Sequence, residues 1–528
     1  MKKWSVVVIL AFAQFVMVLD STVMNVSITT VAKDLGTDLT SMQGAITFYT
    51  LTMAAFMLVG AKLGDKWGRK RTFIVGSVIY ALGSLITAVS QNFQMLFVGW
   101  SIIEGLGAIM VIPAIAALTA SNYKGKDLVK AFAIIWGVAG AAAAAGPLIG
   151  GFVTTYLSWR YVFVAEVFIM AGVLIFNKRI ADKSKTLNEK LDMPSILLSS
   201  VGLVMIVFAM LQSKTWGWVE PRAVPMIGDI AIKPFGVSIV AYMLIFGVLI
   251  MNIFYNRQVQ LESNRRNPLV RVSMLSIPQL RAGLAVLMSQ YIVIGSVFFI
   301  VPVYLQTTLG YDALQTGIKI LPLSAALVIF SILGARLSEK FSPKNIIKFG
   351  QLLLVVGVLS LLASIDTNLN SKFFWIGMVL LGSGIGTMSS QLGNVNMSAV
   401  TKDKSSEVGG LQGVFQNLGS SFGTALIGSI LVGVLTTTFV ANIQASNLPY
   451  TVKNYVEINT KSGVAIVSAE QVDEYAISQG LSEDEAATAA DSYASSQVVA
   501  LRNSVFILFV ITALSSIFSR NLPNKVLK

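Results

Sequence analysis

The sequence predicts an all-α integral membrane protein: fourteen transmembrane helices, set as two six-helix bundles plus two additional helices. Three observations carry this. The 528 residues are 55% hydrophobic and only 12% charged, about half the charge of an ordinary soluble domain. Apolar stretches of roughly 20 residues, long enough to cross a bilayer as helices, recur along the whole chain. Finally, one short charged phrase between two such stretches, GAKLGDKWGRK at residues 60–70, returns in altered form as GARLSEKFSPK at 334–344.

Taken in order, the apolar stretches place spans at roughly 5–31, 41–63, 72–90, 93–120, 129–157, 159–177, 193–212, 235–256, 281–308, 316–337, 346–365, 372–399, 411–440 and 501–519. The N-terminus imitates a signal peptide, with Lys2, Lys3, an apolar run and then Ala11-Phe12-Ala13. The run continues to about Ile28, which favours an uncleaved first helix. With the N-terminus inside, the inner segments hold 29 of the 39 Lys and Arg and the outer ones hold the other 10. The positive-inside rule therefore places both termini in the cytoplasm of a multi-pass protein of the cell membrane. The formal net charge of +13 is mostly this orientation signal. Bases dispersed through short loops are a poor footprint for nucleic acid.

Composition also excludes chemistry. There is no Cys and no His, so thiolate metal sites, disulfides and the commonest proton shuttle are all absent. Any proton chemistry within the membrane falls to carboxylates. No phosphate-binding loop occurs: Gly125-Lys126 is followed by Asp127, where a Ser or Thr would be needed. An enzyme, a nucleotide-driven pump and a bound cofactor are not expected, which leaves an ion gradient as the energy source.

Residues 441–500 differ from every other outer segment, with eight acids and only Lys453 and Lys461 as bases. Val456–Asn459 and Val464–Val467 around Gly463 read as a β-hairpin. Ser468 with Gln471, and Ser482 with Glu485, read as capping boxes that start short helices. A folded loop that braces the last helix and a gate or docking element are both compatible with this pattern.

The two charged phrases share five identities (Gly, Ala, Leu, Lys, Lys) and three conservative pairs, Lys62/Arg336, Asp65/Glu339 and Trp67/Phe341. They join spans 2–3 and spans 10–11. Six spans belong to each copy if spans 7 and 8 are an insertion. The expected organisation is a first bundle over 1–192, two inserted helices over 193–256, and a second bundle over 257–528 that includes the acidic segment. Two parallel six-helix repeats around a central cavity are a transporter's signature.

Four passages then carry a resemblance. They are Leu19-Asp-Ser-Thr-Val-Met-Asn25 in span 1, Gly60–Lys70 in the loop, Gly105-Leu-Gly107 in span 4, and Gly137-Val-Ala-Gly140 followed by Gly146-Pro147-Leu-Ile-Gly150-Gly151 in span 5. Together they resemble the major facilitator superfamily, and within it the fourteen-helix branch of drug:proton antiporters. The resemblance implies the major facilitator fold and proton-coupled efflux of lipophilic or cationic small molecules. Protons, substrate and lipid would be the only partners of a monomeric chain.

The residues that would do this follow from the motifs and from membrane physics. An ionised carboxylate in mid-bilayer costs about 2.5–3.5 kcal/mol, so an intramembrane acid must face a cavity or a partner. Asp20, Glu104 and Glu166 are the three acids inside expected spans. Asp20 lies in the branch's own motif, and Glu166, seven residues after Trp159, is expected nearer the outer third. Asn25 is as readily a packing residue as a ligand. Span 13 offers only the neutral Gln412, Gln416 and Asn417, with Glu407 just before it. In the loop, Gly60 and Gly64 would let helices approach closely. Asp65 would sit at a helix terminus near Arg69, so that Gly60, Gly64, Asp65, Gly68, Arg69 and Lys70 form a latch between bundles; setting topology alone is the simpler reading. The small-residue stripe of span 5 (Gly137, Gly140, Gly146, Gly150, Gly151) suits close packing with or without a functional seam, and Pro147 would bend it. Phe15, Trp100, Trp136, Tyr291 and Phe298 are candidate cavity aromatics.

The chain departs from the family pattern in span 4. Ser101 stands where relatives carry an Arg, and Glu104 where they carry a Gln. An intramembrane cation is thus replaced by an acid. Export of an endogenous lipid, peptide or amino acid fits the same architecture, as does a receptor or scaffold that has kept the fold.

Overall fold

The computed structural model describes residues 4–123, 125–182, 192–221, 224–227, 230–264, 266, 268–369, 371–400, 405–460 and 463–524. Within these, the side chains of Asp65 and Trp136 lie outside the described groups. Among the described residues, the regular secondary structure is helical except for a two-stranded ladder, β1 (Met226–Ile227) with β2 (Ile230–Ala231).

The first set of helices is α1 (Ser5–Asp34), α2 (Leu39–Trp67), α3 (Arg69–Ala88), α4 (Phe93–Leu96) continuing through a π-helical turn at Phe97–Glu104 into α5 (Gly105–Asn122), α6 (Gly125–Tyr156) and α7 (Arg160–Phe176). Then come α8 (Met193–Trp216) and α9 (Ile239–Ser263). The second set is α10 (Pro278–Val303) with a π-turn at Tyr304–Thr308, α11 (Ala313–Leu337), α12 (Pro343–Ser364), α13 (Ser371–Met397), α14 (Ser405–Ala445), α15 (Tyr450–Asn459), α16 (Ala469–Ser478) and α17 (Glu483–Ser515). Among the described residues, thirteen helices are long and apolar enough to cross a membrane. Helix α6 makes the fourteenth if its arms Gly137–Ala143 and Ala145–Tyr156, bent by 41°, are one span. The bend falls in the turn before Pro147, whose ring and missing N–H disturb the preceding carbonyls.

Local signals set the boundaries. Asp38 caps α2, accepting from the Ser41 N–H at 2.8 Å, and Ser342 caps α12 just before Pro343. Gly68, at φ 92°, turns α2 into α3, a backbone that a residue with a Cβ adopts only under strain.

The two sets repeat each other's pairings. Helix α1 packs on α6 as α10 packs on α14; α2 on α5 as α11 on α13; α3 on α5 and α7 as α12 on α13 and α17. Between the sets, α6 faces α11 and α2 faces α14. Helix α8 straddles the second of these seams. Its Ser200 hydroxyl donates to the Ala55 carbonyl of α2 at 3.3 Å, and Ser213 meets Ser429 of α14 at 2.7 Å. Helix α9 packs on α8 and leaves most of its apolar surface exposed.

The 441–500 segment corrects two expectations. Val456–Asn459 belongs to helix α15 rather than to a hairpin strand. Val452 and Val456, one helical turn apart, both pack on the core. The last span starts at Glu483, well before residue 501, and runs unbroken to Ser515. Both predicted capping boxes are present, at Ser468/Gln471 and Ser482/Glu485. Tyr493 fixes the coil before α16: its hydroxyl accepts from the Val467 N–H at 3.0 Å and donates to the Ala465 carbonyl at 2.8 Å.

Candidate functional site

The three intramembrane acids, scattered over 147 positions of chain, meet. One carboxyl oxygen from each of Asp20 (α1), Glu104 (the end of the π-turn) and Glu166 (α7) lies within 4.8 Å of the other two. All three side chains are buried, at 1%, 0% and 0% exposure. Glu166 thus joins its partners in one buried cluster.

Close helix contact builds the site. A Cβ on Gly83 would stand 2.6 Å from the Glu104 nitrogen, and one on Gly107 would stand 2.5 Å from the Tyr80 nitrogen. These glycines let α3 lie directly against the backbone of the fourth span. The indole N–H of Trp100 donates to Asp20 Oδ1 at 2.8 Å, and Trp100 stacks on Tyr49 with ring centroids 4.9 Å apart. Ser84 and Tyr80 of α3 donate to Glu166 Oε2 at 3.2 and 3.5 Å. Ser101, one position past Trp100, turns to α2 and donates to the Ala45 carbonyl at 2.8 Å.

The remaining oxygens, Asp20 Oδ2, both oxygens of Glu104 and Glu166 Oε1, and the Tyr49 hydroxyl have no partner within hydrogen-bond distance, although Tyr49 lies near enough to act on Asp20 and Tyr80 and Ser84 near enough to act on Glu104. Among the described residues, the ionisable groups that act on these carboxyls are one another and the adjacent tyrosines, with no Lys or Arg. Three like charges at this spacing in a dry site repel strongly. The arrangement suits a cation or shared protons. Tyr49, Tyr80 and Ser84 are the residues that sequence reasoning missed. The available signal was the small and polar stripe of α3, in which Gly76, Ser77, Tyr80, Gly83, Ser84 and Thr87 are buried at helical spacing.

Other candidates lie elsewhere. The Asn25 amide bonds its own helix, donating to the Ser21 carbonyl at 2.6 Å. Asn417 does likewise to Gly413 at 2.8 Å, Gln416 is half-buried, and Gln412 is buried with its amide nitrogen unpartnered. Phe15 packs beside Leu19, Val23 and Val162; Phe298 belongs to the main core, with Tyr291 packed at its edge.

Of the loop phrase, the Asp65 side chain at the centre of the expected latch lies outside the described groups, and the other members make the following contacts. Gly60 permits close approach, since its Cβ would lie 2.6 Å from the Ile109 carbonyl carbon of α5, but a Cβ on Gly64 would meet nothing within 4 Å. Arg69 donates to the Ala117 carbonyl at 3.4 Å, and the Lys70 N–H donates to Asp182, just after α7, at 2.9 Å. In the second copy, Lys344 stands where the first has Lys70. Its ammonium donates to the Arg520 carbonyl at 2.6 Å and its N–H to Pro523 at 3.4 Å, just after α17. Each copy thus clasps the tail of its own six-helix set. The described contacts of Arg69 and Lys70 stay within the first set.

The span-5 glycines pack partly on α1 of their own set and partly across the α6–α11 seam. Gly146 and Gly150 face Thr22 and Val23 of α1, with a Cβ at either within 3.0 Å of them. A Cβ on Gly151 would stand 2.9 Å from Leu314 Cα, and one on Gly317 would stand 2.9 Å from the Pro147 carbonyl carbon. Gly140 just touches Val328, and Gly137 meets nothing.

Two six-helix sets with matching pairings and a buried acid cluster define a multi-pass membrane transport protein. The chain belongs to the Major Facilitator Superfamily, whose profile matches residues 10–424, a family of transporters and not of enzymes. It is 29% identical to the puromycin resistance protein pur8 of Streptomyces alboniger over 88% of this chain and 90% of that one. It is 28% identical to the tetracenomycin C resistance and export protein of Streptomyces glaucescens, over 85% and 79%. It is 24% identical to the multidrug resistance protein Stp of Mycobacterium tuberculosis, over 84% and 78%. Among solved structures, a bacterial homologue of the human lysosomal transporter Spinster aligns over 98% of this chain and 97% of its own with a TM-score of 0.59 and 14% identity. A POT peptide transporter aligns over 97% and 95% with 0.58 and 14%. These two likenesses concern the fold alone.

Proposed function

We propose that this protein is a proton-coupled exporter of lipophilic or cationic small molecules across the cell membrane. It draws on the proton gradient without a cofactor, works as a monomer and keeps both termini in the cytoplasm. The observation that carries the reading is the Asp20–Glu104–Glu166 cluster, enclosed and without a basic partner among the described residues. Protons between the three carboxyl groups supply the donors that four of their oxygens lack. A cationic or hydrogen-bonding substrate answers the same need, so the two compete for one charge deficit. Competition at a single site couples two fluxes without contact between proton and substrate. Asp20, Glu104 and Glu166 are thus read as the coupling acids, with Trp100 holding Asp20 in place. The resistance and export roles in the names of the relatives support the direction of transport and the drug-like substrate class. The repeated pairings support a first bundle over 1–192, an inserted pair over 193–256 and a second bundle over 257–528.

In everted vesicles holding a pre-formed proton gradient, adding substrate should release protons. Efflux that survives collapse of the gradient but stops when ATP is removed would overturn the proposal.

A further inference from the structure

The seam between α2 and α14 is wedged, at the end that carries the loop phrase, by a segment belonging to neither helix. The connector from α9 to α10 runs through Leu269, Val270, Arg271 and Met274. It is pinned to α9 twice. The buried Gln258 accepts from the Leu269 and Val270 N–H groups at 2.7 and 3.2 Å, and Glu262 accepts from the Ser273 N–H at 3.0 Å. Gln258 also donates to Ser195 of α8 at 2.6 Å. Helices α8 and α9 are themselves locked by Arg257, whose guanidinium grips Asp192 in a fork at 2.8 and 2.6 Å. Pair and connector therefore form one body.

That body reaches across the seam by a weaker contact. Arg271 meets Glu407, at the start of α14, with a single N–O distance of 3.3 Å. The other Glu407 oxygen is buried and unpartnered. Beside them, Leu58, Ala61 and Lys62 of α2 and Gly410 and Leu411 of α14 line a small gap together with Leu269, Val270 and Met274. At this end of the seam the contacts are thus tight within the body and loose across it, while the firmer Ser213–Ser429 bond to α14 lies at the far end of α8. A contact that must break at each transport cycle is expected to be of the second kind, since a partly exposed ion pair held by a single contact contributes little.

We propose that Arg271 and Glu407 are positioning residues of an inner gate, in which the α8–α9 pair carries its connector as a wedge that closes the α2–α14 seam and leaves Glu407 when the seam opens. This rests on the transporter reading for the meaning of a gate; its first readout needs no substrate.

The chain has no cysteine, so an engineered pair reports cleanly. Ala61→Cys with Gly410→Cys is suited to this, because a Cβ on Gly410 would lie 3.7 Å from Ala61 Cβ, within disulfide range. Oxidative cross-linking in membranes should be fast in this background. Arg271→Ala or Glu407→Gln should slow it by about two- to fivefold, the scale of a partly exposed ion pair. Gln258→Leu, which leaves both charges in place but removes one of the connector's two pins, should slow it similarly. Arg271→Lys and the exchange Arg271→Glu with Glu407→Arg should keep or restore the rate, which a mere folding defect would not allow. Unchanged cross-linking in the Arg271→Ala, Glu407→Gln and Gln258→Leu variants overturns the assignment, as does a cross-linked protein that still transports. Absence of proton-coupled efflux from the parent protein would instead strike the transporter reading.

Discussion

Alanine at Gly60 and at Gly64 should have opposite effects, although both glycines belong to one repeated phrase. At Gly60 the new methyl would stand 2.6 Å from the Ile109 carbonyl carbon and 3.3 Å from the Met110 nitrogen. Ordinary contact begins near 3.4 Å, so α2 and α5 must part locally by about 0.8 Å or more. The obstacle is backbone, which has no rotamer to yield. Overpacking of this kind costs about 1–3 kcal/mol, and alanine's better helix propensity returns about 1 kcal/mol. The Ile109 carbonyl oxygen lies closer still, which puts the overpacking at the upper end, about 2–3 kcal/mol; less the propensity gain, the net loss is about 1–2 kcal/mol, a five- to thirtyfold change in the folded ratio. At Gly64 nothing lies within 4 Å, and the gap beside it is lined by Pro113, Ala114 and Ala117. Only the propensity gain remains there. Half-lives at a fixed elevated temperature in detergent should therefore rank Gly64→Ala at or above wild type and Gly60→Ala below it. Equal half-lives for Gly60→Ala and wild type would refute the packing argument. A Gly64→Ala protein that is more stable yet transports poorly would show that the gap closes in another state.

Asp20→Asn keeps the acceptor oxygen that Trp100 needs and removes only the charge, so substrate binding should survive while its pH dependence flattens; Glu104→Gln should do the same, and wild-type pH profiles in both would remove these acids from coupling. Trp100→Phe strips the donor from a buried carboxyl oxygen, a loss of about 1–3 kcal/mol; it should lower thermal stability and distort the pH profile together, and a stable variant with an unaltered profile would contradict the positioning role.

The spans were legible because twenty apolar residues in a row have few other uses. Each acid was legible too, since a charge inside such a run stands out. Their meeting was not. In a helix apolar all round, periodicity does not reveal which face looks inward, so nothing in the sequence turned Glu166 toward Asp20. Tyr80 and Ser84 were hidden for a related reason: side chains of these kinds occur in many spans, and only Gly83, by admitting the Glu104 backbone, gives them a task. The segment after α14 misled because Val456 and Ile458 favour strands, while the Val452–Val456 contact that decides for helix needs a core to pack on. The capping box at Ser482 announced a helix, but its acidic first turn and the Ala- and Ser-rich stretch after it carry too little hydropathy to show that this helix runs on into the last span.

The fourth span concentrates what is unusual in this chain. Trp100 and Glu104, four residues apart, both serve the cluster, as positions at that spacing share a helix face. Ser101 turns away to the α2 backbone, so its small hydroxyl stands where a long cation would have to cross the helix contact. A built-in arginine near the acids would compensate their charge permanently. With Glu104 present and no base acting on it among the described residues, the proposed coupling has compensation come from outside, as protons or as substrate, and leave again with whichever departs. The π-turn at Phe97–Glu104 belongs to the same logic. Such turns lack the regular ladder of an α-helix and mark functional positions, and here one ends on Glu104 itself. The acid whose two oxygens are both unpartnered thus stands on the backbone of this span that departs from α-helical form. The proposed coupling would use this placement: Glu104 adjoins the α2 and α3 contacts that Ser101 and Gly83 maintain.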